Sequence, residues 1–268
     1  MRDWTDSSPL QIPACLLFNG KVIHYPVALQ RRAERMLKLF KKKPETKIYD
    51  NVQNFSFDTV CALLANRNKG RDPDVMQSVA AMGSCVAATR DFMGVLSPAM
   101  PTILKRVNAD IFAMECLAFV TPTITRAVYL QRSKERATGL DRIWLPLSST
   151  PRTIKDQFIE RSAPGLGAIW LERWKEYRNT EDLSDRFGLL CYLLYTSSGY
   201  DLIQERYPKS PPTILELFFG IEQMLAYSAG LQSILNSVEN FKKVDAVMPD
   251  FDPFDDEDEL LGEDDDDL

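Results

Sequence analysis

The six residues Asn66-Arg67-Asn68-Lys69-Gly70-Arg71 place three cations and two amide side chains in one short stretch. Arginine presents a planar fork of N–H donors and lysine a point charge, and both suit phosphate oxygens. Helical patterns on either side predict a turn at a helix end, where unpaired backbone N–H groups also favour an anion. The residue types therefore point to phosphate binding by Arg67, Asn68, Lys69 and Arg71. A solvated surface loop has a similar composition, so the surroundings of the stretch carry the argument.

Those surroundings are rich in cations and rings. Arg31, Arg35, Lys38 and Lys42 fall at i, i+4, i+7 and i+11, opposite Ala33, Met36, Leu37 and Phe40, which predicts an amphipathic helix over 27–43 with a basic stripe. Lys105-Arg106 stands at the expected start of a later helix, and Tyr25 and Tyr49 supply rings near the cations. Cations interleaved with aromatics suit single-stranded nucleic acid, because every nucleotide has a phosphate and every base a stackable face.

Catalytic constellations are missing from the sequence. There is no Gly-x-Ser-x-Gly elbow, no phosphate-cradling glycine loop ending in Lys-Ser or Lys-Thr, and no His-Glu-x-x-His pair. His24 is the single histidine and reads as a packing or surface residue; Gly165 and Gly167 mark a turn, and Glu181-Asp182 suits a helix N-terminus. The five cysteines, Cys15, Cys61, Cys85, Cys116 and Cys191, are widely spaced without a Cys-x-x-Cys pair, so they read as small core residues in a reducing compartment. No cofactor, metal or enzymatic activity is expected.

Charge divides the chain in two. The net charge is −6, yet from Asp245 onward there are 13 acidic residues and no Lys or Arg, leaving 32 basic against 25 acidic residues in 1–244, a net of +7. A basic body suggests a polyanionic partner, and an acidic tail suggests something able to occupy or screen the same surface.

The elements that must position these residues read as helices. Phe55–Asn66 has a helical pattern, and Asp72-Pro73 opens another helix with Val75, Val79, Met82 and Val86 along one face. Pro98 and Pro101 break the chain before a helix from about 102 to 119, and a separate helix runs from Pro122 to about 136. The segment 138–153 is rich in turn residues. Helices resume at about 153–161, 166–178, 181–196, 211–226 and 228–242. Few segments alternate with period two, so the class is all-α. Residues 1–24 form an extended or partly helical arm, and Leu10, Ile12, Leu16, Leu17 and Phe18 are too apolar for a free tail. Residues 244–268 are too charged to collapse and are expected to be disordered. No long uncharged apolar run and no secretory start appear, so membrane insertion is not expected.

Ala62-Leu-Leu-Ala-Asn-Arg-Asn-Lys69, followed about forty residues later by Lys105-Arg106-Val107 and an apolar helix bearing Ala109, Cys116 and Ala118, resembles the nucleocapsid proteins of phleboviruses and tenuiviruses. Tyr25 followed by Arg31-Arg32 is similar to the start of that family. The resemblance covers residues 20–130 by motif and 131–243 by length and helical class. It implies a lobe at 25–120, a second at 121–243 and a basic groove between them that sequesters single-stranded genomic RNA. It also implies that the arm packs on a neighbouring subunit to build homo-oligomers, in the virion and the host cell cytoplasm, with the viral RNA polymerase as a further partner. Carried over by motif, Arg67, Asn68, Lys69 and Arg71 would contact the RNA backbone, Arg106 would line the groove, and Tyr25 would stack on a base. The chain departs from the pattern in lacking a glycine between Arg67 and the Asn-Lys pair, in Ala28, and in its acidic tail, which suggests a divergent member. The alternative reading is a cellular helical interaction protein or chaperone whose acidic tail binds basic partners.

Overall fold

Apolar residues recurring every three or four positions build a structure that is almost wholly helical. The computed structural model describes residues 15–18, 21–24, 47–65, 73–134, 140–198 and 213–248. A short ribbon comes first: β1 (Cys15–Phe18) pairs antiparallel with β2 (Lys21–His24), Cys15 opposite His24 and Phe18 opposite Lys21. The intervening Asn19-Gly20 is the dipeptide that two-residue hairpins favour. The helices are α1 (Lys47–Gln53), α2 (Phe57–Ala65), α3 (Pro73–Ala99), α4 (Pro101–Leu104), α5 (Ala109–Lys134) and α6 (Asp141–Leu147). Then α7 (Thr150–Thr153) runs through a π-helical stretch, Ile154–Ile159, into α8 (Glu160–Ser162), followed by α9 (Gly167–Asn179), α10 (Leu183–Ser197) and α11 (Thr213–Val247).

The centre is made by α3 and α5, with α9, α10 and α11 laid against them. Both central helices are long and apolar enough to cross a membrane, with mean hydropathy 1.2 and 1.4, but 67% and 83% of those stretches is buried inside the fold, as befits core helices. Small residues on α3, including Ala80, Ala81, Ser84, Ala87 and Ala88, let its neighbours approach closely. The buried side of α3 begins at Met76, while Val75 is exposed and Val79 and Met82 only partly covered, so the face expected from the valine spacing is rotated. An aromatic cluster ties the helices together. Phe92 stacks on Phe119 at 5.1 Å, Phe187 meets Phe119 edge-on at 4.7 Å, and Tyr177 and Tyr227 close the two sides. Gly230 lets α11 settle on it: a Cβ there would lie 2.5 Å from Phe187 and 2.9 Å from Phe92.

Three expected breaks are corrected by packing. Pro122 lies inside α5 rather than starting a new helix. Proline removes one backbone N–H, yet the helix persists because both sides of the break are buried. The hydroxyls of Thr121, Thr123 and Thr125 meanwhile donate to the carbonyls of Leu117, Phe119 and Thr121. The turn-rich segment 138–153 holds α6 and α7, each containing a proline. The two helices expected over 211–242 are one, since nothing between 226 and 228 stops a helix and Gly230 is held by its aromatic contacts.

Carboxylates from distant elements cap several helix starts. Asp110 Oδ1 accepts the Tyr49 N–H at 2.9 Å in the first turn of α1. Glu222 of α11 accepts the N–H groups of Thr102 and Ile103 at 2.9 and 3.3 Å, and Asp245 Oδ1 accepts that of Ile143 at 2.9 Å. Closer in sequence, Glu160 accepts the N–H groups of Gly165, in the turn before α9, and of Gly167, its first residue. Each satisfies N–H groups that a helix leaves without an internal partner.

Candidate nucleic-acid interface

Of the cations singled out by the sequence, Lys105 and Arg106 lie within the described residues. They are exposed in the turn between α4 and α5 rather than at the start of a helix. The reason is Asn108, whose Oδ1 accepts the N–H groups of Asp110 and Ile111 at 2.8 and 3.4 Å and so starts α5 at Ala109. Tyr25, Arg31, Arg35, Arg67, Asn68, Lys69, Arg71, Leu10 and Ile12 lie outside the described residues, as does the acidic tail beyond Met248. Leu16, Leu17 and Phe18 belong to β1, which lies beside α10 and α11 of its own chain.

A second cluster of cations and rings, unforeseen from the sequence, lines a recess of about 420 Å³ where α5, α9 and α10 meet the end of α6. Arg126 and Tyr129, three apart on α5, form one wall, and Trp174 and Arg178, four apart on α9, form another. Arg186 of α10 lines the recess as well, with Leu147 and Ser148 at the rim. Its volume is within the range of small-ligand sites, roughly 300–1,000 Å³.

The electrostatics of the recess are unusual. Arg186 is 3% exposed, and among the described residues no carboxylate lies within ion-pair distance of Arg126, Arg178 or Arg186. Two of these side chains are held by backbone instead. Arg126 Nη1 donates to the Glu181 carbonyl at 2.9 Å and Arg186 Nε to the Thr180 carbonyl at 2.5 Å, consecutive oxygens in the connection from α9 to α10. Burial, and then the charge of Arg126, hold the Arg186 guanidinium below its ordinary range. Arginine nevertheless stays protonated in proteins, so like charges are held together in a partly dry site. The Arg178 guanidinium carbon sits 5.3 Å from the Trp174 ring centroid, and Tyr129 is 54% exposed at the edge. An anion would relieve the repulsion and take the unused guanidinium donors, and a flat ring would find aromatic and guanidinium surfaces beside it.

No protein family, curated protein or solved structure was found to match the chain.

A different charged cluster is closed to ligands. Glu115 is fully buried and accepts from Arg173 Nε and from Tyr177 Oη, both at 3.1 Å, while Arg173 Nη1 reaches Glu176 at 2.7 Å. Burial pushes the Glu115 carboxyl and the Tyr177 phenol up. Burial alone would lower Arg173, but Glu115 and Glu176 more than offset it. The cluster joins α5 to α9 and so fixes the walls of the recess. Cys85, Cys116 and Cys191 are buried free thiols, those of Cys85 and Cys191 pushed up to about 12 by burial, and Cys61 is partly covered. Among the described residues no group of three or more His, Cys, Asp or Glu is placed to hold a metal.

The recess was not evident from the sequence because Arg126 lies 52 and 60 residues before Arg178 and Arg186, and none of the three stands in a basic run. The available signal was local: Arg126 with Tyr129 and Trp174 with Arg178 put a cation and a ring on one face of two helices.

Proposed function

We propose that the chain is a non-catalytic, nucleocapsid-type subunit that binds single-stranded RNA. One observation carries this reading: Arg126, Arg178 and Arg186 converge on a recess beside Trp174 and Tyr129 without a carboxylate partner among the described residues. Cations that lack counter-charges among the described residues, beside the exposed Tyr129 and the half-buried Trp174, match what a nucleotide chain offers, an anion and a stackable face at each repeat. In this reading the recess adds to the exposed Lys105 and Arg106 and to the Arg67–Arg71 stretch with Asn68 and Lys69, while Tyr25, Arg31 and Arg35 extend the same basic groove between two lobes. Homo-oligomers form through Leu10, Ile12, Leu16, Leu17 and Phe18 of the arm, the viral RNA polymerase engages the assembly, and the setting is the virion and host cytoplasm.

The test is direct. Protein purified from bacteria without nuclease treatment is expected to carry RNA, seen as a high ratio of absorbance at 260 over 280 nm. After its removal, the protein is expected to bind a labelled oligouridine in fluorescence anisotropy, with an affinity that falls steeply as salt rises. Protein that purifies free of nucleic acid and leaves oligouridine anisotropy unchanged at low salt overturns the reading.

A further inference from the structure

Three arginines line the recess without a carboxylate partner among the described residues, and the chain carries an acidic segment close by in sequence to α11. Residues 249–268 contain 12 acidic residues and no Lys or Arg. The last described residue before them, Met248, is anchored close to the recess. Arg142 Nη1 donates to the Met248 carbonyl at 2.7 Å, Arg142 Nε lies 3.6 Å from Asp245, and Asp245 accepts the Ile143 N–H. These contacts pin the end of α11 to the first turn of α6, and the other end of α6, at Leu147, is on the rim of the recess. Seven helical residues span only about 10 Å at 1.5 Å each. Three extended residues cover about the same distance at roughly 3.3 Å each.

We infer that the segment 249–268 docks in the Arg126–Arg178–Arg186 recess and competes there with nucleic acid. Its sequence suits the site. Asp250-Phe251-Asp252-Pro253-Phe254-Asp255 alternates carboxylates with rings, so a carboxylate can meet a guanidinium while the neighbouring phenyl ring lies on Trp174 or Tyr129. Six residues from Met248 reach Phe254, about 20 Å of extended chain, which is enough to enter the recess from the α6 side. A short tether holds the segment near millimolar effective concentration. A segment whose free peptide binds with a dissociation constant of about 0.1 mM would then fill the recess and weaken a competitor about tenfold. The docking depends only on the recess; the competition rests on the proposed RNA binding there.

Two measurements on full-length protein separate these. In the first, Phe254→p-benzoylphenylalanine is irradiated without RNA and the cross-linked peptides are mapped. Links to 122–129 or 174–186 of the same chain support the proposal, and links confined to other regions overturn it. In the second, Asp250, Asp252 and the acidic residues 255–259 are changed to Asn or Gln in the full chain, and a fluorescent peptide of sequence 249–268 is added in trans. Saturable binding that is abolished in Arg126→Gln/Arg178→Gln, both exposed positions, supports docking, and binding unaffected by that pair overturns it. The neutralised chain is also expected to bind oligouridine up to about tenfold more tightly at low salt, where charge is least screened. Docking without any gain in RNA affinity overturns the competition and places RNA elsewhere, while a chain that binds no RNA at all but still docks the peptide refutes RNA binding alone.

Discussion

The carboxylate of Glu222 on α11 accepts the backbone N–H of Thr102 at 2.9 Å, across 120 positions of sequence. It also takes the N–H of Ile103, so one buried side chain satisfies the start of α4. Glu222→Ala should lower stability by about 1–3 kcal/mol, the usual range for buried N–H groups stripped of their acceptor. Glu222→Gln, which keeps an acceptor oxygen, should cost less. Urea unfolding followed by circular dichroism measures both, and equal stability of all three chains would show that water serves α4 as well.

Two glycines should respond with opposite sign. Gly230→Ala drives a methyl into Phe187 and Phe92 and should destabilise by about 1–3 kcal/mol through overpacking. Gly94, exposed within α3 with nothing near its missing Cβ, should gain about 0.5–1 kcal/mol as alanine. Thermal midpoints of the two variants on either side of the parent are the expected outcome.

The two sets of cations are separable by salt dependence. Removing one cation that neutralises a phosphate should flatten the slope of log affinity against log salt by about 0.7 for a single strand. Arg126→Gln/Arg178→Gln tests the recess, and replacing Arg67, Lys69, Arg71 and Arg106 by Ala tests the stretch read from sequence. Unchanged slopes in one set would remove that set from the interface.

Stability should decline as pH rises above the ordinary carboxyl range. Burial raises the carboxyls of Asp110, Glu115 and Asp245 above their ordinary values of 3.8, 4.5 and 3.8. Between the ordinary and the raised value the folded state holds protons that the unfolded state has released, so stability falls as pH rises through that window. Thermal midpoints measured upward from pH 4 should show this decline, and Asp110→Asn with Asp245→Asn should flatten it. A midpoint that instead rises steadily with pH would mean that the hydrogen bonds these acids accept outweigh their burial.

Much of the helical class was legible, and the reasons are local. Asp182 before Leu183 is a capping residue whose side chain accepts the Ser184 N–H, and α10 starts there. Pro73 likewise opens α3. What was illegible depends on contacts between distant positions. Pro122 is tolerated because α5 is buried on all sides near it, which no window of residues reveals. The ribbon of β1 and β2 was hidden by its four-residue strands, although Asn19-Gly20 between them was the available sign. Arg186 gave no hint of binding, since it stands alone in an apolar helix and acquires its meaning only beside Arg126.

The capping carboxylates set the order in which the chain can become protected. Glu222 and Asp245 belong to the last described helix, yet they hold the amides of Thr102, Ile103 and Ile143, at the starts of helices of four and seven residues. Helices that short have almost no stability alone. During folding these amides can gain lasting protection only after α11 has docked, so closure must wait for long-range contacts. In the native state the same amides should exchange with deuterium only in openings that detach α11, which makes three residues at the ends of minor helices reporters for release of the longest one.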